Sequence, residues 1–280
     1  MKMSSQEKIS ARRAKGLTAH EPTQKPAPGV SHRRHAFIIV GITLIAAIAV
    51  LVAWRMTVKN PATVGLDISG YSVNEAEFAY ALDTVRNDVI QATAEKGSSI
   101  SGQYWASTDP DSPTAKAVDQ AIDVLRHRYA VYEMATESRI IDSPSWEALT
   151  QRMNAENSAR EQKISSGEVV YGMPNFTLAT YIDSEMRTMK EAYTADSSNP
   201  GMNPSEEDIR RYYDEHDWTV SDDRTRAALD EVRANVVQEY RYEHYDQLVA
   251  QRVKAQSVSI DLPQLRSFAS GYLSLEREPK

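Results

Sequence analysis

The chain has no cysteine. Disulfides, thiolate metal sites and cysteine nucleophiles are therefore excluded, and so is anchoring through a lipidated cysteine. An exported domain built this way must stand on its own core, as is common in bacterial envelope proteins. The motifs GxSxG, GxxxxGKS/T, GxGxxG and HExxH are also missing. Of the six histidines, His127, His216 and His244 fall at no helical ligand spacing from one another, and His127 reads as an ordinary helix residue. Residues 196–207 have the length of a calcium loop, but Pro200 stands where a ligand oxygen belongs. The sequence thus points to no catalytic residue, no metal and no cofactor.

What the chain does have is one long apolar run. Residues 36–54 contain nineteen residues without a charge, enough to cross a bilayer core as a helix. Residues 1–35 carry eight Lys and Arg against Glu7 and Glu21, a surplus of six positive charges. The whole chain is at −7, so the remainder is at −13. Basic flanks stay in the cytoplasm, which predicts a disordered basic cytoplasmic tail (1–35), a single transmembrane helix contacting lipid (36–54) and an extracytoplasmic remainder. Ala47-Ile48-Ala49 resembles a signal-peptide cleavage site, but the apolar stretch continues to Trp54, which favours an uncleaved anchor. An outer region this acidic would repel phosphates, so nucleic acid is not an expected partner.

Past the anchor, Val64, Leu66 and Ile68 alternate, which predicts a strand ending in a turn at Gly70. Ser72-Val-Asn-Glu75 has the form of a capping box, followed by Phe78, Leu82, Val85 and Val89 at helical spacing, with Gly97 as the stop. Ser112-Pro113 and Ser143-Pro144 each look like a helix start. The first opens a stripe of Val118, Ile122, Leu125, Tyr129 and Tyr132, the second one of Trp146, Leu149 and Met153. Residues 167–175 (GEVVYGMPN) read as a loop and 176–192 as a helix. Ser205 caps a short helix ending in YYDEH, and a long helix is expected over about 223–256. Val258-Ser-Ile260 alternates again, and the strand it forms should pair with the one at 64–68, closing residues 55–261 into one unit. Residues 262–280 read as a tail.

Tyr and Met are abundant, at fourteen and nine. Tyr104, Trp105, Met173, Tyr242 and Tyr245 lie in loops or off the helical stripes. Such side chains give adaptable apolar contact to a partner. Tyr104, Trp105 and Tyr171 are the candidate polypeptide-binding residues, against the plainer alternative that they pack under their loops and pin them.

Three stretches carry a family resemblance: TVGLDISGYSVNEAEFAYAL at 63–82, SPSWEALTQRMNAENSAREQ with VVYGMPNFTLATYI at 143–182, and PSEEDIRRYYDEH at 204–216. In this order, with the long helix and the closing QSVSID, they resemble the amino-terminal chaperone region of SurA/PrsA-type extracytoplasmic foldases. The resemblance implies a mostly α fold, a helical chaperone-like domain with a small two-stranded pairing of its ends. In full-length members a parvulin prolyl isomerase domain follows the YYDEH helix. Here only DWTVSD separates His216 from the next helix, leaving no room for that domain. What the resemblance implies is a membrane-anchored, non-catalytic holdase for unfolded or exported polypeptides. The alternative is an adaptor that docks one dedicated envelope protein.

Overall fold

The computed structural model describes residues 62–95, 103–219 and 225–275. The tail expected at 1–35 and the anchor expected at 36–54 lie outside the described residues. Among the described residues, no helix is long and apolar enough to cross a membrane.

The alternation at 64–68 forms β1 (Thr63–Ile68), and Val64, Leu66 and Ile68 are all buried. Ser69 and Gly70 both take positive φ, the geometry of a tight hairpin turn. The chain then forms β2 (Tyr71–Asn74), antiparallel to β1. The expected capping box at Ser72 is therefore corrected. Ser72 is a strand residue that donates to Asp67, and Asn74 caps the helix by accepting from the Glu77 N–H at 3.0 Å. The turn and the burial of Val73 outweigh the local Ser-x-x-Glu pattern.

Helix α1 (Glu75–Ala94) follows, then α2 (Pro113–Glu137), capped by Ser112 with Pro113 at its first turn as the sequence predicts. Helix α2 is the axis of the fold. It packs on α1 and on α4 (Leu178–Ala195), α6 (Leu229–Ala255) and α7 (Leu262–Ser274). Its whole predicted stripe, Val118 to Tyr132, is buried. Helix α3 (Trp146–Ser165) starts two residues later than Ser143-Pro144 suggests, because Ser145 is the residue whose hydroxyl caps it. Helix α5 (Glu206–Glu215) is capped by Ser205 as expected.

Helix α6 begins six residues later than predicted. Ala227 is buried and donates its N–H to the Trp218 carbonyl, so this stretch is spent on a bridge between Thr219 and Arg226. With 27 residues, α6 spans about 40 Å and is shorter than the helix expected over about 223–256.

The closing strand β3 (Val258–Ile260) pairs antiparallel with β1, Leu66 opposite Ile260 and Ile68 opposite Val258. The segments at 64–68 and 258–260 do meet. They do so in a three-stranded sheet of order β2-β1-β3 rather than a two-stranded one. The expected tail at 262–280 is also corrected, because it contains α7. Asp261 caps that helix, and Leu265, Ala269 and Leu273 recur every four residues on its buried face. They pack against β1, α1 and α2. Gly65 makes this approach possible. A Cβ there would sit 2.8 Å from the Asp261 Cβ, where the Asp261 N–H bonds the Gly65 carbonyl at 2.7 Å.

One charge pair lies inside this body. Glu77 of α1 and Arg128 of α2 are ion-paired, with side chains only 1% exposed. The Arg128 guanidinium also lies 4.3 Å from the Tyr129 ring centroid. Burial pushes the Glu77 carboxyl above its ordinary range, and Arg128 pulls it part of the way back.

Candidate functional site

Helix α3 and the loop that joins it to α4 form an arm, while α4 itself packs on α2 and α6. Along its twenty residues α3 buries one side chain, Leu149, next to Trp146 near its root. Its remaining sequence, QRMNAENSAREQKIS, is mostly polar, and of its large apolar residues Met153 packs partly buried against the core while Ile164 is exposed. Its principal helical neighbour is α4.

The tip of the arm is different in character. Ile164, Val169, Tyr171 and Met173 are 48, 74, 87 and 45% exposed, four of the seven exposed large apolar residues among those described. Single exposed apolar residues need no explanation, but four within ten positions form a patch. The loop that presents Val169, Tyr171 and Met173 is pinned from behind. Arg160 donates to the carbonyls of Met173 (2.9 Å) and Tyr171 (3.4 Å) and stacks 4.4 Å from the Phe176 centroid. Asn157 donates to the Phe176 carbonyl and accepts its N–H, at 3.0 and 2.8 Å. Gly167 and Gly172, both at positive φ, turn the chain around these anchors. The backbone is fixed while the apolar side chains point into solvent, so little loop entropy remains to be lost when a partner covers them.

A groove of about 640 Å³ runs along the arm, lined on its apolar side by Ile140, Ile141, Phe176 and Met189. Its polar wall is the device that joins arm to body. Glu185 of α4 accepts from Arg152 Nε of α3 (2.7 Å), from Tyr132 Oη of α2 (2.6 Å) and from Tyr181 Oη (2.8 Å). Burial disfavours the charge on Arg152. The hydrogen bonds and charge of Glu185 outweigh this and hold its pKa above the ordinary value. Tyr132 and Tyr181 are pushed up by burial and then by Glu185, so both hydroxyls stay protonated and donating.

Of the three residues the sequence nominates, the structure leaves only Tyr171 exposed. Tyr104 and Trp105 are buried, which corrects their expected exposure. Tyr104 donates to Thr93 Oγ1 at 2.6 Å, Trp105 packs edge-on to it at 4.6 Å, and the Trp105 carbonyl accepts from Thr114. They pin their loop across α1 and α2, the plainer of the two readings. Tyr245 is likewise core, stacked edge-on against Tyr193. Val169 was missed although its signal was present in GEVVYGMPN, where large apolar groups sit in a loop between two glycines. Ile164 was missed as well; it lies in the last turn of α3, outside that loop. Among the described residues, no group of three His, Asp or Glu could hold a metal ion.

A chaperone for lacto-N-biosidase from Bifidobacterium longum subsp. longum is 41% identical to this chain over 167 residues. The aligned part is 59% of each protein, so the chain spans about three fifths of the length of the curated relative it matches. The relative is a chaperone and not an enzyme, in agreement with the non-enzyme reading of the sequence. No protein-family model matches the chain. No solved structure matches it.

Proposed function

We propose that this protein is a non-catalytic chaperone serving a dedicated exported client. Residues 36–54 tether it to the membrane, with 1–35 in the cytoplasm and the helical domain outside. The observation that carries this reading is the apolar tip of the arm, held on a pinned loop. The relative's name supports both the chaperone role and the narrow client range, and it suggests an enzyme of the lacto-N-biosidase kind as the client. The small sheet that joins the two ends of the domain is the feature the resemblance to SurA/PrsA-type foldases leads one to expect. Tethering places the arm where exported chains emerge and raises its effective concentration there.

Co-expression tests the proposal. A lacto-N-biosidase produced with the full chain should be recovered active in larger yield than alone, with no ATP requirement. Unrelated aggregation-prone proteins should gain nothing. Equal protection of all of them makes the protein a general holdase. No effect on any client, together with stable capture of one envelope protein, makes it an adaptor. For the membrane arrangement, protease added to wall-stripped cells should digest the domain beyond residue 55 and spare the tail. The opposite pattern would overturn the orientation.

A further inference from the structure

The methionines of the chain differ in their surroundings. Among the described residues, Met134, Met189 and Met202 are buried, at 4, 2 and 0% exposure, and Met153 and Met186 pack partly buried against the same core. Met173, by contrast, is 45% exposed at the tip of the arm, beside Tyr171 at 87% and Val169 at 74%. Its backbone is held in place, because Arg160 donates to the Met173 carbonyl at 2.9 Å. A thioether is thus presented to solvent on a fixed loop, inside the apolar patch.

The lack of cysteine gives this exposure a chemical meaning. Cysteine and methionine are the side chains that mild two-electron oxidants attack, and this chain has no thiol to consume them first. Access then decides which thioether reacts. The core methionines are shielded by their neighbours, and Met173 is not.

The structure assigns Met173 as an oxidation site: a peroxide converts it to the sulfoxide ahead of the core methionines, and the conversion turns the tip of the arm from apolar to polar. In this reaction a lone pair of the thioether sulfur attacks one peroxide oxygen. An S–O bond forms and the O–O bond breaks. The departing hydroxide takes up the proton of the transferred oxygen and leaves as water. Sulfur gives up two electrons and the peroxide takes them. The product carries an acceptor oxygen where a flexible apolar group stood. Covering that oxygen with an apolar partner that offers no donor costs free energy the thioether did not. The selectivity of the oxidation stands on the geometry alone, whereas its consequence for a client rests on the chaperone reading of the arm. On that reading, peroxide suspends capture at the tip, and reduction of the sulfoxide restores it.

The test uses the full chain in mild detergent, labelled with 13C-methyl methionine and treated with hydrogen peroxide. Methyl resonances are assigned through single Met→Leu variants, a swap that cores tolerate. The Met173 methyl should move to its sulfoxide position well before those of Met134, Met189 and Met202. Capture is read as recovered activity of a lacto-N-biosidase diluted out of denaturant. Half-maximal recovery should need about tenfold more of the oxidised chain than of the untreated one. Methionine sulfoxide reductases acting on both epimers should bring it back. Met173→Leu cannot form the sulfoxide, so peroxide should leave its own half-maximal concentration where it was before treatment. Oxidation of Met173 no faster than that of the core methionines would overturn the site. An equal peroxide effect in Met173→Leu, or undiminished recovery by a chain fully converted at Met173, would overturn the consequence for the tip. If the untreated chain recovers no enzyme, the chaperone reading falls and that consequence with it, while the methyl resonances still decide the oxidation site.

Discussion

Helices α2 and α3 are of similar length and opposite construction. Helix α2 buries fourteen of its 25 residues, while α3 buries Leu149 alone out of twenty. Helix α2 places Ala, Val and Tyr at core spacing and is held from several sides. Helix α3 is mostly polar, with Leu149 and the partly buried Met153 as its apolar contacts to the core. Helical stability comes mainly from packing of an apolar face, so the body has fixed its structure in its core. The arm stays ordered through a few directed polar contacts: Glu185 at the base, and Arg160 and Asn157 behind the loop. On the proposed function, stability and recognition reside in different parts of the chain, and substitutions should separate them.

The largest effect is expected inside the body. Arg128→Ala leaves the Glu77 carboxylate buried without its partner, which should cost about 3–5 kcal/mol in urea denaturation. A loss below about 1 kcal/mol would mean that the pair does not hold α1 on α2. The variant should also change its response to pH. Arg128 lowers the Glu77 pKa, so its removal moves the folded-state value further above the unfolded 4.5. The folded state then binds more protons than the unfolded one between those two values. The variant should be most stable below pH 4.5 and lose stability as the pH rises through the raised pKa.

Leucine truncations compare the regions directly. Leu125 and Leu149 are both fully buried, and Leu→Ala at such sites costs about 2–5 kcal/mol. Leu125→Ala should lower the melting temperature of the whole domain. Leu149→Ala should instead act through the arm, with faster amide exchange in α3 while α2 stays protected. If both variants melt the domain alike, arm and body are one cooperative unit and the comparison fails. A smaller loss, about 1–3 kcal/mol, is expected for Glu185→Gln, which removes the charge that three donors share. Its signature should be exposure of the groove beside Ile141 and Met189, seen as increased exchange in α3 and the first turns of α4.

The body was far more legible in the sequence than the arm. Val64, Leu66 and Ile68 alternate, and the α2 stripe keeps its period over four turns, so local pattern and burial agree. Errors arose where one local signal competed with another. Ser72-x-x-Glu75 looks like a cap, but Ser69-Gly70 closes a hairpin first. Residues 262–274 pass for a tail because Pro263 and Gly271 interrupt the helical pattern, yet Leu265, Ala269 and Leu273 keep it. Tyr104 and Trp105 show what no local pattern carries. A loop can lie over a core, and only the neighbours at Thr93 and Thr114 reveal that it does. The Glu185 hub is equally invisible in one dimension, because its donors come from three different helices. Tyr171 was legible because a loop pinched between glycines has no local stripe that could absorb it.

The smallest effect on stability should accompany the largest effect on function, at the tip. Val169, Tyr171 and Met173 make few contacts to lose, so replacing all three by Ser should change stability by no more than about 0.5 kcal/mol. The backbone bonds from Arg160 and Asn157 do not involve these side chains and should persist, leaving amide protection of the loop unchanged. Binding energy, by contrast, concentrates in a few large apolar or aromatic residues at the centre of a contact. Tyr171→Ser alone should therefore weaken client capture by about 2 kcal/mol, roughly thirtyfold, and the triple variant should abolish the gain in client yield. Arg160→Ala supplies the complementary case. It keeps every apolar side chain and releases the loop, so client binding should fall through added ordering entropy while amide exchange at 169–176 rises. A triple-Ser variant that retains full client yield would move the binding surface off the arm. Loss of yield accompanied by a falling melting temperature would show instead that the tip is part of the core, and the division between a stable body and a binding arm would be withdrawn.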